Sequence, residues 1–151
     1  MIELLVPALL YLYRSDFVGL VRVAVLVGAD RSVADELVQD AFVAAHRTWD
    51  GVRDPLAYLR RTVVNRCHSW GRRQTLERER RPAPAPDATL GADELWDALA
   101  TLPDRQRTAI VARFYLDLPD PDIADLLGCR PATVRTAIHR GLAALRQEIP
   151  R

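Results

Sequence analysis

The stretch from 120 to 149 constrains the fold of this 151-residue chain more than any other part of its sequence. Leu127 lies three and four residues after Ala124 and Ile123, which predicts one apolar face on a short helix. Gly128 follows where a helix ends in the left-handed region, and Pro131 stands where the first turn of a new helix accepts proline. The second helix has an apolar stripe, formed by Val134, Ile138, Leu142, Leu145 and Ile149.

The other face of that second helix mixes short hydroxyls with long cations: Arg130, Thr133, Arg135, Thr136, His139 and Arg140. Two helices around a glycine turn, with a basic second helix, have the layout of a helix-turn-helix. Ala124 is small where the helices must cross, and Val134 and Ala137 are apolar where the second packs on the first. The alternative is a helical hairpin with solvated arginines, but these packing positions favour DNA binding.

The net charge of +1 hides an uneven distribution along the chain. Residues 51–86 carry nine Arg against three acids, and residues 130–151 carry five Arg against one. Residues 1–50 and 87–129 are acidic instead, with seven acids against four Arg and nine against three. This pattern indicates nucleic acid at the basic blocks and a different partner, such as a basic protein surface, at an acidic one. A hydrophobic content of 49% excludes a disordered protein.

A helix opening at Ser32 is predicted in the front half, with a capping-box-like Asp35 and the apolar stripe Ala34, Val38, Phe42, Ala45 and Trp49. Its outer face clusters Asp35, Glu36, Gln39 and Asp40. Acids near a helix N-terminus are favourable by about 0.3–1 kcal/mol through the helix dipole. From the residues alone, a stabilising role is therefore the preferred interpretation of this cluster.

Asp54 and Pro55 together predict the start of a long basic helix, as an N-cap followed by proline at the first helical position. Its apolar stripe is Leu56, Leu59, Val63, Cys67 and Trp70, and its outer face carries Arg60, Arg61, Asn65, Arg66, Ser69, Arg72 and Arg73. Such a helix can follow a nucleic-acid backbone, with aromatic rings near its ends to stack on bases. A solvated cationic helix is the alternative.

Proline and alanine alternate near the middle of the chain, which predicts an extended connection over 74–91 between a domain at 1–73 and a domain at 92–151. Two supporting helices are expected after it, over 92–102 and from Asp104 to about Tyr115. A core helix is expected to end near Gly28, but nothing is predicted for the residues before Arg14. The expected fold class is all-α, with two small helical domains.

Metal, cofactor and membrane sites are not expected. Cys67 and Cys129 form no CxxC pair, and the three histidines show no metal-ligand spacing. The apolar run at 4–13 is shorter than the roughly 20 residues that span a bilayer, and it lacks the features of a secretion signal. The chain shows no nucleophile–base pair, phosphate loop or carboxylate dyad. We therefore expect a cytoplasmic protein that is not an enzyme.

Taken together, these segments resemble the extracytoplasmic-function (ECF) group of bacterial RNA polymerase sigma factors, in its actinobacterial form. DELVQDAFVAAHRTW and RDPLAYLRRTVVNRCHSWGRR are similar to conserved region 2 of that group. LPDRQRTAIVARFYLDLPDPDIADLLGCRPATVRTAIHRGLAALR is similar to its region 4. The likeness covers roughly residues 16 to 146 in the right order, with a proline-bearing linker between the two blocks.

The resemblance implies a role for each surface and overturns the stabilising interpretation of the acidic cluster. Asp35, Glu36, Gln39 and Asp40 match the surface that docks on the clamp helices of the largest subunit of core RNA polymerase. Arg60, Arg61, Asn65 and Arg66 match the helix that melts and holds the −10 promoter element, and Trp49 to Asp54 lead into the loop that captures a flipped base. The helix that reads the −35 promoter DNA is matched by Arg130, Thr133, Arg135, Thr136, His139 and Arg140.

The implied function is promoter-specific transcription initiation without catalysis, and an anti-sigma factor is a further candidate partner. Two positions depart from the family pattern. Ala137 replaces a residue that is polar or basic in many members, which predicts one missing DNA contact, and Pro121 stands where proline is unusual. A stand-alone helix-turn-helix regulator, with 1–73 as a dimer or effector domain, is the alternative. A protein that sequesters a partner through a degenerate helix-turn-helix is a third.

Overall fold

The computed structural model describes residues 2–80 and 94–148, with side chains described over 6–77 and 97–148. Within those ranges the chain forms α-helices and one short 3-10 turn, and no strand. The helices are α1 (Ile2–Leu26), α2 (Arg31–Arg47), α3 (Pro55–Arg80), α4 (Glu94–Ala100), α5 (Asp104–Phe114), α6 (Asp120–Leu127) and α7 (Pro131–Glu148), with the 3-10 turn at Trp49–Gly51. The predicted all-α class is confirmed. The chain divides into two compact units, Met1–Gly71, called the front unit, and Arg72–Arg151, called the back unit.

The front unit is built on the packing of α1 against α2, with α3 completing its core. The predicted stripe of α2 is buried from Ala34 to Ala45. The Cys67 thiol of α3 donates a hydrogen bond to the carbonyl oxygen of Ala24 in α1, at 3.8 Å. This bond ties α3 to α1.

Helix α1 includes the segment before Arg14, for which the sequence predicted nothing. The helix runs from Ile2 with Pro7 inside it. Pro7 is the sixth residue of α1, and because proline has no backbone N–H the helix lacks one i→i−4 hydrogen bond there. Tyr13 continues the packing of α1, because its ring lies 4.7 Å from the Phe17 ring and 5.2 Å from the Phe42 ring, centroid to centroid.

The back unit packs α5, α6 and α7 against one another, and α4 contacts α7. Its core includes Ile110 of α5, Ile123 of α6, and Val134 and Leu145 of α7. The Arg107 guanidinium fixes the corner between α4 and α5, since it donates hydrogen bonds of 2.8–3.3 Å to three carbonyl oxygens, those of Leu99, Ala100 and Leu102.

The first part of the predicted extended connection is helical instead, because α3 continues to Arg80. Residues 74–80 contain neither proline nor glycine, so nothing local ends the helix there. Pro82 is the first proline after Pro55, and a residue that precedes proline is driven away from helical backbone angles. Residues 81–91 of that connection lie outside the described residues, and the domain limits at 73 and 92 stay a prediction.

Candidate nucleic-acid interface

The turn between α6 and α7 has the geometry that the sequence predicted. Gly128 caps α6 in the left-handed region at φ 64°, and the backbone N–H of Cys129 reaches back to the Ala124 oxygen at 3.0 Å. Helix α7 begins at Pro131, and Ile123 and Val134 are fully buried. The short helix, glycine turn and second helix therefore form a helix-turn-helix held by an apolar core.

One face of α7 is left outside that core and carries five of the six predicted DNA-facing residues, and Arg130 immediately precedes the helix. Arg130, Arg135, Thr136, His139 and Arg140 are exposed, and Thr133 is half-buried. The Thr136 hydroxyl donates to the Ala132 carbonyl oxygen at 3.1 Å, as threonine often does in a helix. The arrangement offers cations and hydroxyls along a helix of the width that a major groove admits.

Ala137 does not lie on this face, because it packs inside the helix-turn-helix, as its apolar position beside Val134 predicted. Its surface is only 6% exposed, and it lies on the same side of α7 as Val134 and Gly141. A polar side chain there would replace packing rather than restore a contact.

Asp120 is a charged residue of this region that sequence reasoning did not single out. It is the first residue of α6, its carboxylate accepts a hydrogen bond from the Arg113 guanidinium, and its Oδ2 lies 3.8 Å from Nη1 of Arg135. No local pattern predicts the cluster, because its members belong to three different helices.

Two of the four predicted residues on α3 point fully outwards. Arg61 and Asn65 are exposed and stand four residues apart, so they lie one turn apart on a single face. Arg60 and Arg66 are half-buried, and Nε of Arg66 is a buried nitrogen without a hydrogen-bond partner among the described residues. The helix thus presents Arg61 and Asn65 as its central polar pair, with the other two arginines at the edges of its buried stripe.

The segment before α3 is tied to it by side-chain hydrogen bonds. Oδ1 of Asp54 accepts the backbone N–H of Ala57 at 3.2 Å, which confirms the predicted helix cap. The Thr48 and Tyr58 hydroxyl oxygens are hydrogen-bonded at 3.0 Å across the 3-10 turn. Trp49, in that turn, is half-buried. These bonds fix the residues that lead into α3, and Asp54 has a clear structural role besides any contact with DNA.

The acidic cluster on α2 lies outside the reach of the helix dipole. Asp35, Glu36, Gln39 and Asp40 are all exposed. The helix begins at Arg31 rather than Ser32, with Asp30 as its N-cap residue, and its first turn holds no acid. Because dipole stabilisation falls off within the first turn, it accounts for little of this cluster. Val43 lies on the same side of the helix and is 50% exposed.

The described part of the chain has neither a membrane-spanning helix nor a metal site. None of its helices has the length and apolar content needed to cross a membrane. Across the same residues, no group of three or more His, Cys, Asp or Glu side chains is placed to hold a metal ion.

Comparison with known families matches each half of the chain separately. Residues 12–77 match the family model "Sigma-70 region 2", and residues 92–145 match "Sigma-70, region 4". The chain is 35% identical over 147 residues to an RNA polymerase sigma-E factor of Streptomyces avermitilis, covering 90% of this chain and 80% of the relative. It is 32% identical over 151 residues to the ECF RNA polymerase sigma factor SigM of Mycobacterium tuberculosis, covering 89% and 73%.

Solved structures agree with this assignment at the level of the fold. The sigma factor RpoE of Bartonella quintana, determined in complex with the anti-sigma factor NepR, matches with a TM-score of 0.76 at 22% identity, over 90% of this chain and 92% of that one. The structure of CnrH in complex with the cytosolic domain of CnrY matches with a TM-score of 0.70 at 26% identity, over 93% and 86%.

Proposed function

This chain belongs to the sigma-70 family of RNA polymerase sigma factors, in its ECF group, and from that premise we propose which of its surfaces carries each step of initiation. Both units match sigma-70 regions, which favours a sigma factor over a stand-alone helix-turn-helix regulator. We propose that the chain is not an enzyme and acts in the cytoplasm, where it brings core RNA polymerase to promoters and the polymerase supplies the chemistry. The proposed domains are 1–73 and 92–151, joined through 74–91.

The observation that carries the proposal most directly is the exposed face of α7 in a helix-turn-helix. We propose that Arg130, Thr133, Arg135, Thr136, His139 and Arg140 contact the −35 element. Arginine can bond a guanine edge with two parallel donors, and hydroxyls can bond bases or phosphates. Arg135 stands in the second turn of α7 with 63% of its side-chain surface exposed, so it is the first candidate for a base contact.

The test of this surface is Arg135→Ala in holoenzyme reconstituted with core polymerase, with start sites first mapped on genomic DNA. We expect a loss on the order of 1–3 kcal/mol that is confined to promoters with one particular −35 base pair. Arg146→Ala is the matched control, because Arg146 is an exposed arginine in the last turn of the same helix. An equal loss on all promoter sequences would assign Arg135 to a phosphate instead.

The exposed pair on α3 is proposed to act on the −10 element, together with Trp49, Asp54, Arg60 and Arg66. An extruded base needs a pocket and a stacking surface, and unstacking costs a few kcal/mol. Arg61 and Asn65 supply a cation and an amide on one face, beside the anchored turn that holds Trp49. We expect Asn65→Ala to reduce the permanganate reactivity of unpaired −10 thymines, while closed-complex binding to the same promoter persists. Normal opening by this variant would remove Asn65 from the proposed site.

The acidic cluster of α2 is proposed to bind the clamp helices of the largest polymerase subunit. Its four members are exposed, and the helix dipole does not explain them. The double variant Gln39→Ala with Asp40→Ala is expected to bind core polymerase at least tenfold more weakly in a fluorescence titration. Gln147→Ala with Asp97→Ala is the matched control, since it makes the same chemical changes at exposed positions of the back unit. Equal affinity of the two double variants would remove the cluster from the interface.

An anti-sigma factor is also proposed as a partner, supported by the fold shared with a sigma factor that was determined bound to one. Purification of the tagged chain from its native cells, followed by mass spectrometry, tests this. Recovery of core polymerase subunits alone, in growing and in stressed cells, would count against it.

A further inference from the structure

The carboxylate of Asp120 lies where three helices of the back unit meet. Its side chain is only 18% exposed, although it begins helix α6. It accepts a hydrogen bond from the Arg113 guanidinium of α5, and Oδ2 lies 3.8 Å from Nη1 of Arg135 on α7. One carboxylate therefore links a structural arginine to an arginine of the proposed DNA-facing surface.

The two arginines differ in how far water reaches them. The Arg113 side chain is 38% exposed, with its Nε buried, whereas Arg135 is 63% exposed. Exposed ion pairs contribute little to folding, so the Arg135 contact adds little to stability. Its effect is instead electrostatic: the Asp120 carboxylate, held by Arg113, places a negative charge beside the exposed Arg135 guanidinium.

We propose that Asp120 is a positioning residue for promoter recognition, which orients the Arg135 guanidinium towards a base edge and lowers its affinity for phosphates. This inference rests on the proposed role of Arg135 at the −35 element. A guanidinium reads guanine through two parallel donors and so needs a fixed plane, while phosphate contacts carry no sequence information. Without the carboxylate charge, Arg135 loses its orientation and the surface becomes more attractive to any DNA.

The test selects bound DNA from a library of promoter duplexes with six randomised base pairs at the −35 position. Reconstituted holoenzyme is used with Asp120→Asn, Arg135→Ala and the double variant. We expect Asp120→Asn to lower the preference for the best sequence over single mismatches by about fivefold, the factor for one charge pair at about 4 Å in water. Its binding to a fixed non-promoter duplex should rise. In the Arg135→Ala background the substitution at 120 should change neither quantity.

Two further variants separate positioning from a general loss of structure. Asp125→Asn makes the same change at an exposed position of α6 and should keep the wild-type preference. If Asp120→Asn does not fold, Asp120→Glu keeps the charge but moves the carboxylate by one methylene, and its preference should fall as long as Arg135 is present.

The outcomes distinguish this inference from the function on which it rests. An unchanged preference in the folded Asp120 variants, or an equal loss with and without Arg135, overturns the positioning role. If Arg135→Ala itself selects the same sequences as the wild type, the proposed base contact fails and the inference falls with it.

Discussion

Gly141 lies where α7 packs tightly on α5, and replacing it with alanine sets a gain in helix propensity against a steric clash. A Cβ atom at this position would lie 2.5 Å from Cδ1 of Ile110 and 3.4 Å from Cβ of Gln106. Ile110 is itself 6% exposed, so its terminal methyl can move only within the core. The substitution therefore forces either Ile110 out of its rotamer or α7 away from α5.

The magnitude follows from the difference between these effects. Alanine in place of glycine inside a helix gains about 1 kcal/mol, and overpacking a buried contact costs about 1–3 kcal/mol. We expect Gly141→Ala to lower the free energy of unfolding of the back unit by up to about 2 kcal/mol. Gly19→Ala in α1 is the matched control, because a Cβ atom there meets nothing within 4 Å. It should stabilise the front unit by about 0.5–1 kcal/mol.

Hydrogen exchange read by mass spectrometry is the assay, since it reports α1 and α7 separately in the intact chain. Peptides of α5 and α7 should exchange faster in Gly141→Ala, and peptides of α1 should exchange more slowly in Gly19→Ala. Adding Ile110→Val, which removes the clashing methyl, should recover part of the loss even though that change alone is destabilising. If Gly141→Ala protects α7 as well as Gly19→Ala protects α1, the close approach of α5 and α7 is wrong.

Two further predictions concern the turn and the buried thiol. Gly128→Ala places a side chain at φ 64°, where its Cβ meets nothing within 4 Å, so backbone strain alone should lower the free energy of unfolding by about 1–2 kcal/mol in chemical denaturation. Gly128→Asn should cost less, because asparagine tolerates the left-handed region. Equal losses for the two variants would contradict the left-handed conformation of residue 128. Burial raises the pKa of the Cys67 thiol from 9.0 to about 12. Its neutral form therefore contributes stability that is fully present below pH 9 and is lost as the pH rises towards 12, so the wild type should lose stability more steeply over this range than Cys67→Ala.

Much of the back unit could be predicted from sequence, because its signals are local. A glycine that ends α6 and a proline that begins α7 act through their own backbone angles, so no tertiary context was needed to place the turn at 128–131. The same holds for Asp54 and Pro55 at the start of α3. At each of these positions one or two residues determine the local backbone conformation, and the helix boundaries in the structure agree with the prediction.

Features that depend on distant residues were predicted poorly. The early start of α1 is supported by the packing of Tyr13 on Phe42, from a different helix. The cluster around Asp120 joins residues of three helices, and their separation along the chain has no characteristic period. In each case the structure depends on a contact between two helices, and the periodicity of apolar residues within one helix does not predict which residues of another helix it meets.

The acidic cluster of α2 shows how a small shift in a helix boundary changes the interpretation of charge. From the sequence, a helix opening at Ser32 places Asp35 three residues inside it, where the helix dipole rewards a negative charge. In the structure the helix opens at Arg31 and its first turn carries no acid, so the dipole offers Asp35 little. The four polar side chains of the cluster are exposed and gain little from their own helix. A basic protein surface is the kind of partner that their charge fits, which is consistent with the polymerase contact proposed for them.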